Sequence, residues 1–161
     1  MHISRVEWLQ SMPIFGALRD DALQVLLREA REVDRSLGDH FFREGDRADS
    51  MFVLESGRAT VLKRWREREV VLHELGSGDC FGEMALMDLA PRSASVRAET
   101  DCRAIEMSAA DLLRLNDHDH EQFALIQMNL GRELCRRLRA TDEQLFHALM
   151  GELPSPVRLR V

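Results

Sequence analysis

Hydrophobic and polar positions change rhythm twice along the chain. Behind a break at Met12-Pro13-Ile14-Phe15-Gly16, the apolar residues Leu18, Ala22, Leu23, Leu26, Leu27 and Ala30 recur at helical spacing. Asp20 and Asp21 stand where the dipoles of a helix start favour acid, so a helix is predicted over 19–31. From about 32 to 107 the pattern becomes short apolar runs cut by turn residues. Met51-Phe52-Val53-Leu54 precedes Ser56-Gly57; Ala59–Leu62, Val70–Leu75, Ser93–Ala98 and Cys102–Met107 follow. That spacing predicts short strands in a β-sandwich or barrel. The charged run Lys63–Glu69 reads as a solvated hairpin with Trp65 partly exposed.

The third zone is helical. Ser108 is placed to cap a short helix containing Leu112, Leu113 and Leu115. A long helix is predicted over 120–149, where Phe123, Ile126, Leu130, Leu134, Leu138, Thr141, Leu145 and Leu149 follow one another in steps of three and four. Gly151, Pro154 and Pro156 end it. This stripe predicts either packing on the rest of the chain or a homodimer through the helix 120–149. Arg132, Arg136, Arg137 and Arg139 read as a solvated basic face of that helix, and Asp117-His118-Asp119-His120 as a solvated loop before it.

Composition narrows the classes of function. The 161 residues carry 22 Lys and Arg against 28 Asp and Glu, a net charge of −6, which excludes a general polyanion binder. The 45% apolar and 31% charged content is that of a soluble globular protein. No stretch approaches the roughly 20 apolar residues of a membrane span, and Met1–Gln10 has no signal-peptide pattern. Cys80, Cys102 and Cys135 are odd in number and form no Cys-x-x-Cys pair. They therefore predict neither a disulfide framework nor a zinc site, but three small buried hydrophobes in a reducing cytoplasm. His40 and His73 lie apart and outside any ligand cluster, so no metal, no catalytic residue and no enzyme activity are expected. Gly76-Ser77-Gly78 with Gly82 misses the dinucleotide fingerprint by one residue and lacks a βαβ setting.

One segment stands apart: Phe81-Gly82-Glu83-Met84-Ala85-Leu86-Met87-Asp88-Leu89-Ala90-Pro91-Arg92-Ser93-Ala94-Ser95-Val96. A helical turn over 82–89 offers unpaired N–H groups at its start, and Gly82 lets backbone approach a ligand. Arg92 supplies a planar fork of donors for a phosphate, and the N–H groups of Ser93 and Ala94 extend the cradle. A carboxylate at Glu83 accepts hydrogen bonds, which suits a hydroxyl beside the phosphate. The residues alone therefore indicate a phosphate-plus-sugar site.

This segment closely resembles, without a gap, the phosphate-binding cassette of cyclic-nucleotide-binding domains, as in catabolite activators and kinase regulatory subunits. Phe42-Arg43-Glu44-Gly45-Asp46, Met51-Phe52-Val53-Leu54 and Ser56-Gly57 resemble the first half of that family's β-roll. Cys135-Arg136-Arg137-Leu138-Arg139-Ala140-Thr141 resembles the activators' long C-terminal helix. The resemblance implies an α+β fold: a β-roll, a jelly-roll-like antiparallel barrel, with an N-terminal helix, a short cassette helix and a long C-terminal helix. One domain would span 1–149, with the β-roll at 32–107 and helices at 108–149, followed by a tail at 150–161. Glu83 would bind the ribose 2′-hydroxyl and Arg92 the cyclic phosphate, with Gly82, Met84, Ala85, Ser93 and Ala94 completing the cradle. Val61, Leu72 and Leu75 would pack near base and sugar, and Thr141 would touch the adenine amino group. The expected ligand is cAMP; a serine at 93 leaves cGMP open. About a dozen residues follow Leu149, too few for a helix-turn-helix. No direct DNA binding is therefore expected, and output would pass to a downstream protein that the sequence does not identify.

Overall fold

The computed structural model describes residues 4–151; all of the predicted tail past Gly151 lies outside the described residues. Helix α1 (Arg5–Gln10) opens with a capping box in which Ser4 and Glu7 satisfy each other's backbone N–H groups. A 3₁₀ turn at Pro13–Phe15 follows, then α2 (Asp20–Leu27), shorter than the predicted 19–31. The chain turns extended at β1 (Arg31–Arg35), whose Arg31–Arg35 backbone pairs with a later strand. The remaining elements are β2 (His40–Phe42), β3 (Ser50–Ser56), β4 (Ala59–Trp65), β5 (Arg68–Leu75), β6 (Cys80–Phe81), α3 (Met84–Asp88), β7 (Ser95–Ala98), β8 (Cys102–Ser108), α4 (Ala109–His118) and α5 (His120–Leu149).

The strands form two four-stranded antiparallel sheets, ordered β1-β8-β3-β6 and β2-β7-β4-β5, an α+β fold with no single closed barrel. Alternation sets which side chains face inward. In β7, Val96 and Ala98 are buried while Ser95 and Arg97 are half-buried. The inner faces enclose Phe41, Phe52, Leu54, Ala59, Leu75, Phe81, Val96, Ala98, Cys102 and Ala104. The β4–β5 turn places Trp65 opposite Arg68 and leaves the indole 69% exposed, as the charged run predicts.

A second core joins the helices to one sheet. Leu9, Ile14, Phe15, Leu23, Leu26, Leu115, Ile126 and Leu130 meet Met51, Val53, Ile105 and Met107 there. Ser108 caps α4 through a capping box with Asp111. The four-residue loop expected at 117–120 is nearly absent. Asp117 and His118 finish α4, and the Asp119 carboxylate caps α5 by accepting from the N–H groups of Glu121 and Gln122. Helix α5 divides into halves: Ile126 and Leu130 are fully buried, whereas Leu138, Leu145 and Leu149 are exposed. Cys80 and Cys102 are buried, but Cys135 lies on the outer side of α5 and is exposed, against the expectation of three buried thiols.

The buried half of α5 is pinned by polar side chains. Asn129 Nδ2 donates to the carbonyls of Ile14, at 3.1 Å, and Gly16, at 2.9 Å. Gln122 Oε1 accepts from the Arg19 N–H at 2.8 Å. Asn129→Leu should leave two carbonyls without this donor, at a cost of about 1–3 kcal/mol for each that water does not reach. Urea denaturation should show a lowered midpoint with an unchanged slope; an unchanged midpoint would mean that the tether contributes nothing.

Candidate functional site

The site is built where α3 and the loop before β7 meet the ring cluster of the inner faces. Gly82 has φ +79°, a left-handed conformation that glycine adopts without strain. A Cβ there would stand 2.6 Å from Arg92 Nη1, so the missing side chain is the space the guanidinium uses. Past Pro91, the Arg92 N–H donates to the Asp46 carbonyl at 2.9 Å, and its carbonyl accepts from Gly45 N–H at 2.8 Å. The Phe42–Asp46 signature in the sequence is thus the turn that holds Arg92.

The Arg92 side chain is buried. Its carbon Cζ stands 4.0 Å above the Phe42 ring and 5.8 Å from that of Phe52. Nη1 donates to the Gly82 carbonyl at 2.9 Å and Nη2 to Ser50 Oγ at 3.2 Å. Ser50 Oγ in turn donates to Glu106 Oε1 at 2.8 Å. Both direct partners are uncharged, and Nε is buried with no partner. Burial lowers the pKa of the guanidinium, while Asp49, Glu106, Asp46 and Glu83 pull it back up. A desolvated cation with a spare N–H and no ion pair among the described residues is an arrangement an anion would complete.

Glu83 is 1% exposed. Its Oε1 accepts from Arg137 Nη1 at 2.5 Å, and its Oε2 is buried with no partner. Burial raises its pKa, against the pull of Arg137. Arg137 also donates from Nη2 to the Cys80 carbonyl at 2.6 Å and from Nε to Glu133 Oε1 at 2.9 Å. Glu133 is buried too and further pairs with Arg136. The expectation of a solvated basic face on α5 is therefore corrected at Arg137. Its guanidinium ties the long helix to the cassette carboxylate and to β6. Sequence reasoning missed it, although a signal existed: the buried stripe of α5 continues from Ile126 and Leu130 to Glu133 and then Arg137 in helical steps.

The other predicted residues are distributed as follows. Ala85 and Ala94 are buried at the cradle; Met84 and Ser93 border it and are exposed, with Ser93 Oγ 3.9 Å from Met84 Sδ. Leu75 is buried, and Val61 is half-buried against the inner core. The register of β4 on β5 slips between Val61 and Leu62, pairing Val61 with His73 and Leu62 with Val71. Leu72 is the bulged residue and is 40% exposed. Thr141 is exposed, and its hydroxyl donates to the Arg137 carbonyl one turn back at 3.0 Å. Gly82 and Arg92 are thus in direct contact, Glu83 is bonded to Arg137, Ala85 and Ala94 are buried, and Leu72 and Thr141 are exposed. Among the described residues no group of three or more His, Cys, Asp or Glu is arranged to hold a metal ion, and no helix is long and apolar enough to cross a membrane.

Comparison with known families matches residues 33–119 to the cyclic nucleotide-binding domain, more than half of the chain. The chain belongs to this family. A CRP-like cAMP-activated global transcriptional regulator of Mycobacterium tuberculosis is 32% identical over 152 residues, covering 94% of this chain and 66% of the regulator. A cAMP-dependent protein kinase regulatory subunit of Emericella nidulans is 31% identical over 108 residues, covering 67% of this chain and 26% of that subunit. The crystal structure of the Thermus thermophilus catabolite activator protein superposes with a TM-score of 0.72 at 30% identity, over 83% of this chain and 61% of that one. The chain thus spans under two thirds of the length of each of these relatives.

Proposed function

We propose that this chain is a cyclic-nucleotide sensor, with cAMP its preferred ligand, that binds without turning the ligand over and signals through α5. The observation that carries the reading is the pair of unmatched buried groups: Arg92, a cation with no ion pair among the described residues, and the bare Oε2 of Glu83. The cyclic phosphate would take the free donors of Arg92, with the N–H groups beside Ala85, Ser93 and Ala94. The ribose 2′-hydroxyl would donate to Glu83 Oε2. The names of the relatives, a cAMP-activated regulator and a cAMP-dependent kinase subunit, favour cAMP over cGMP.

Because Glu83 Oε1 is held by Arg137, a hydroxyl donating to Oε2 would compete for the same carboxylate that ties α5 to the cassette. Binding would thereby shift the population of α5 positions, in line with its differential affinity for them. Beyond this tie, the exposed Leu138, Leu145 and Leu149 would be packed against a second copy of the chain, forming a homodimer. The signal would pass to a downstream protein in the cytoplasm.

Thermal unfolding with cAMP, cGMP and 5′-AMP tests the reading. Ligand at about 100 times its dissociation constant adds roughly 2.7 kcal/mol, which is several degrees at roughly 2–4 °C per kcal/mol for a chain of this size. The largest shift is expected with cAMP and none with 5′-AMP, whose extra charge and open phosphate do not fit the cradle. A larger shift with cGMP would move the assignment to that nucleotide. No shift with any cyclic nucleotide would leave an interaction scaffold and defeat the proposal.

A further inference from the structure

The outer face of the sheet β2-β7-β4-β5 carries a recess that the cyclic-nucleotide site does not use. Val61 packs on the inner core, so its neighbour Leu62 and the Ser95 that opposes Leu62 lie on the outer face. Strand β7, which begins at Ser95, runs between β2 and β4. At that beginning the sheet holds a cavity of about 300 Å³. His40 of β2, with Arg43 and Glu44 of the turn after it, forms one wall, and Arg64 of β4 with Glu69 of β5 forms the other. Leu62, only 3% exposed, and Ser95 form the floor. Two strand spacings, about 10 Å, separate the backbones of the nearer strands on either side.

The charges around this cavity do not cancel within it. Both acids have partners: Glu44 pairs with Lys63 at 3.3 Å and Glu69 with Arg97 at 2.7 Å. Arg43 and Arg64 make no ion pair among the described residues; Arg43 Nη1 stands 3.5 Å from His40 Nε2. The imidazole responds to that surplus. Burial, and then the charges of Arg43 and Arg97, lower its pKa against the opposing pull of Glu69 and Asp39, so the ring is neutral at pH 7. Ser95 Oγ accepts from the Glu44 N–H at 2.9 Å and keeps its own hydrogen to donate. We infer that the cavity is a second binding site, for a small dicarboxylate held by Arg43 at one end and Arg64 at the other. A guanidinium fork meets a carboxylate through two parallel hydrogen bonds. Cations on opposite walls over an apolar floor suit two anionic ends joined by a short carbon chain better than one compact anion. The site shares no residue with the cradle around Glu83 and Arg92, and it does not depend on the cyclic-nucleotide reading.

Long-range ¹H–¹⁵N spectra of the full chain, titrated with succinate at constant pH and ionic strength, test it. The His40 ring nitrogens should shift along a saturating curve. Arg43→Gln and Arg64→Gln should each raise the dissociation constant by about tenfold, the value of one charge-assisted hydrogen bond. Both side chains are exposed, so the variants should fold as the wild type does. Butyrate, with the same number of carbons and one charge, and inorganic phosphate should each need about tenfold higher concentration. Arg92→Met should bind succinate like the wild type, and saturating cAMP should not displace it. Equal responses to succinate, butyrate and phosphate would mean an adventitious ion only and overturn the site. So would a succinate affinity unchanged in both glutamine variants. Loss of the response in Arg92→Met would place the anion in the cradle instead and equally overturn it. If the wild type takes succinate but no cyclic nucleotide, this site stands and the sensor reading falls.

Discussion

Arg92→Met is expected to weaken cAMP binding by between tenfold and a hundredfold while leaving the free protein about as stable as before. The two effects have separate causes. In the free protein the guanidinium is desolvated, stands on the Phe42 ring and meets only the Gly82 carbonyl and Ser50 Oγ. Removing it loses two hydrogen bonds but also relieves a buried charge with no ionic partner, and such exchanges for an apolar side chain of similar length are often neutral. With an anion present the balance reverses. A charge-assisted bond contributes about 1.5–3 kcal/mol, and each 1.4 kcal/mol is about tenfold in affinity. Arg92→Lys should not rescue, because an ammonium on a flexible stem lacks the planar fork. Calorimetry gives the affinity and thermal unfolding without ligand gives the stability. A dissociation constant that does not move would remove Arg92 from the phosphate role. A large loss of unliganded stability would mean that the residue is a structural strut instead.

The parts of the site that were legible in the sequence are those made by adjacent residues. Gly82, Glu83, Ala85, Arg92 and Ala94 belong to one contiguous segment, and a five-residue helix with a short loop suffices to bring them together. The zones of helix and strand were legible for the same reason, since periodicity is a local property. The register of β5 was not legible, because a bulge shifts every side chain beyond it to the other face and nothing in Val70-Val71-Leu72-His73 marks which residue bulges. Arg137 was misread because its partners, Glu83 and the Cys80 carbonyl, lie 54 and 57 residues away. A basic cluster on a helix otherwise looks like a solvated face. Its neighbour Glu133, four residues back on the buried stripe, was the available clue: two opposite charges continuing an apolar stripe imply a paired, enclosed site.

Phe81→Ala is expected to lower the melting temperature most and to reveal how far the aromatic cluster serves the site. The ring is 2% exposed, stacks on Phe52 at 5.2 Å between centroids and meets the Phe41 ring edgewise at 5.0 Å. Removing a buried phenyl costs about 3–5 kcal/mol, from lost transfer energy and the cavity left behind. That is a large part of the roughly 5–15 kcal/mol that holds a domain folded, and amounts to roughly 6–20 °C for a chain of this length. Phe52 and Phe42, which share the cluster with Phe81, are the rings above which the Arg92 guanidinium stands, and Gly82 follows Phe81 directly. Loosening the cluster should therefore reduce ligand affinity as well. Leu23→Ala makes the control, because Leu23 is equally buried but belongs to the helical core. It should lower stability by about 2–5 kcal/mol with the dissociation constant unchanged below the unfolding range. Equal losses of affinity in both variants would show that the rings only hold the fold; a loss confined to Phe81→Ala would show that they also hold Arg92 in place.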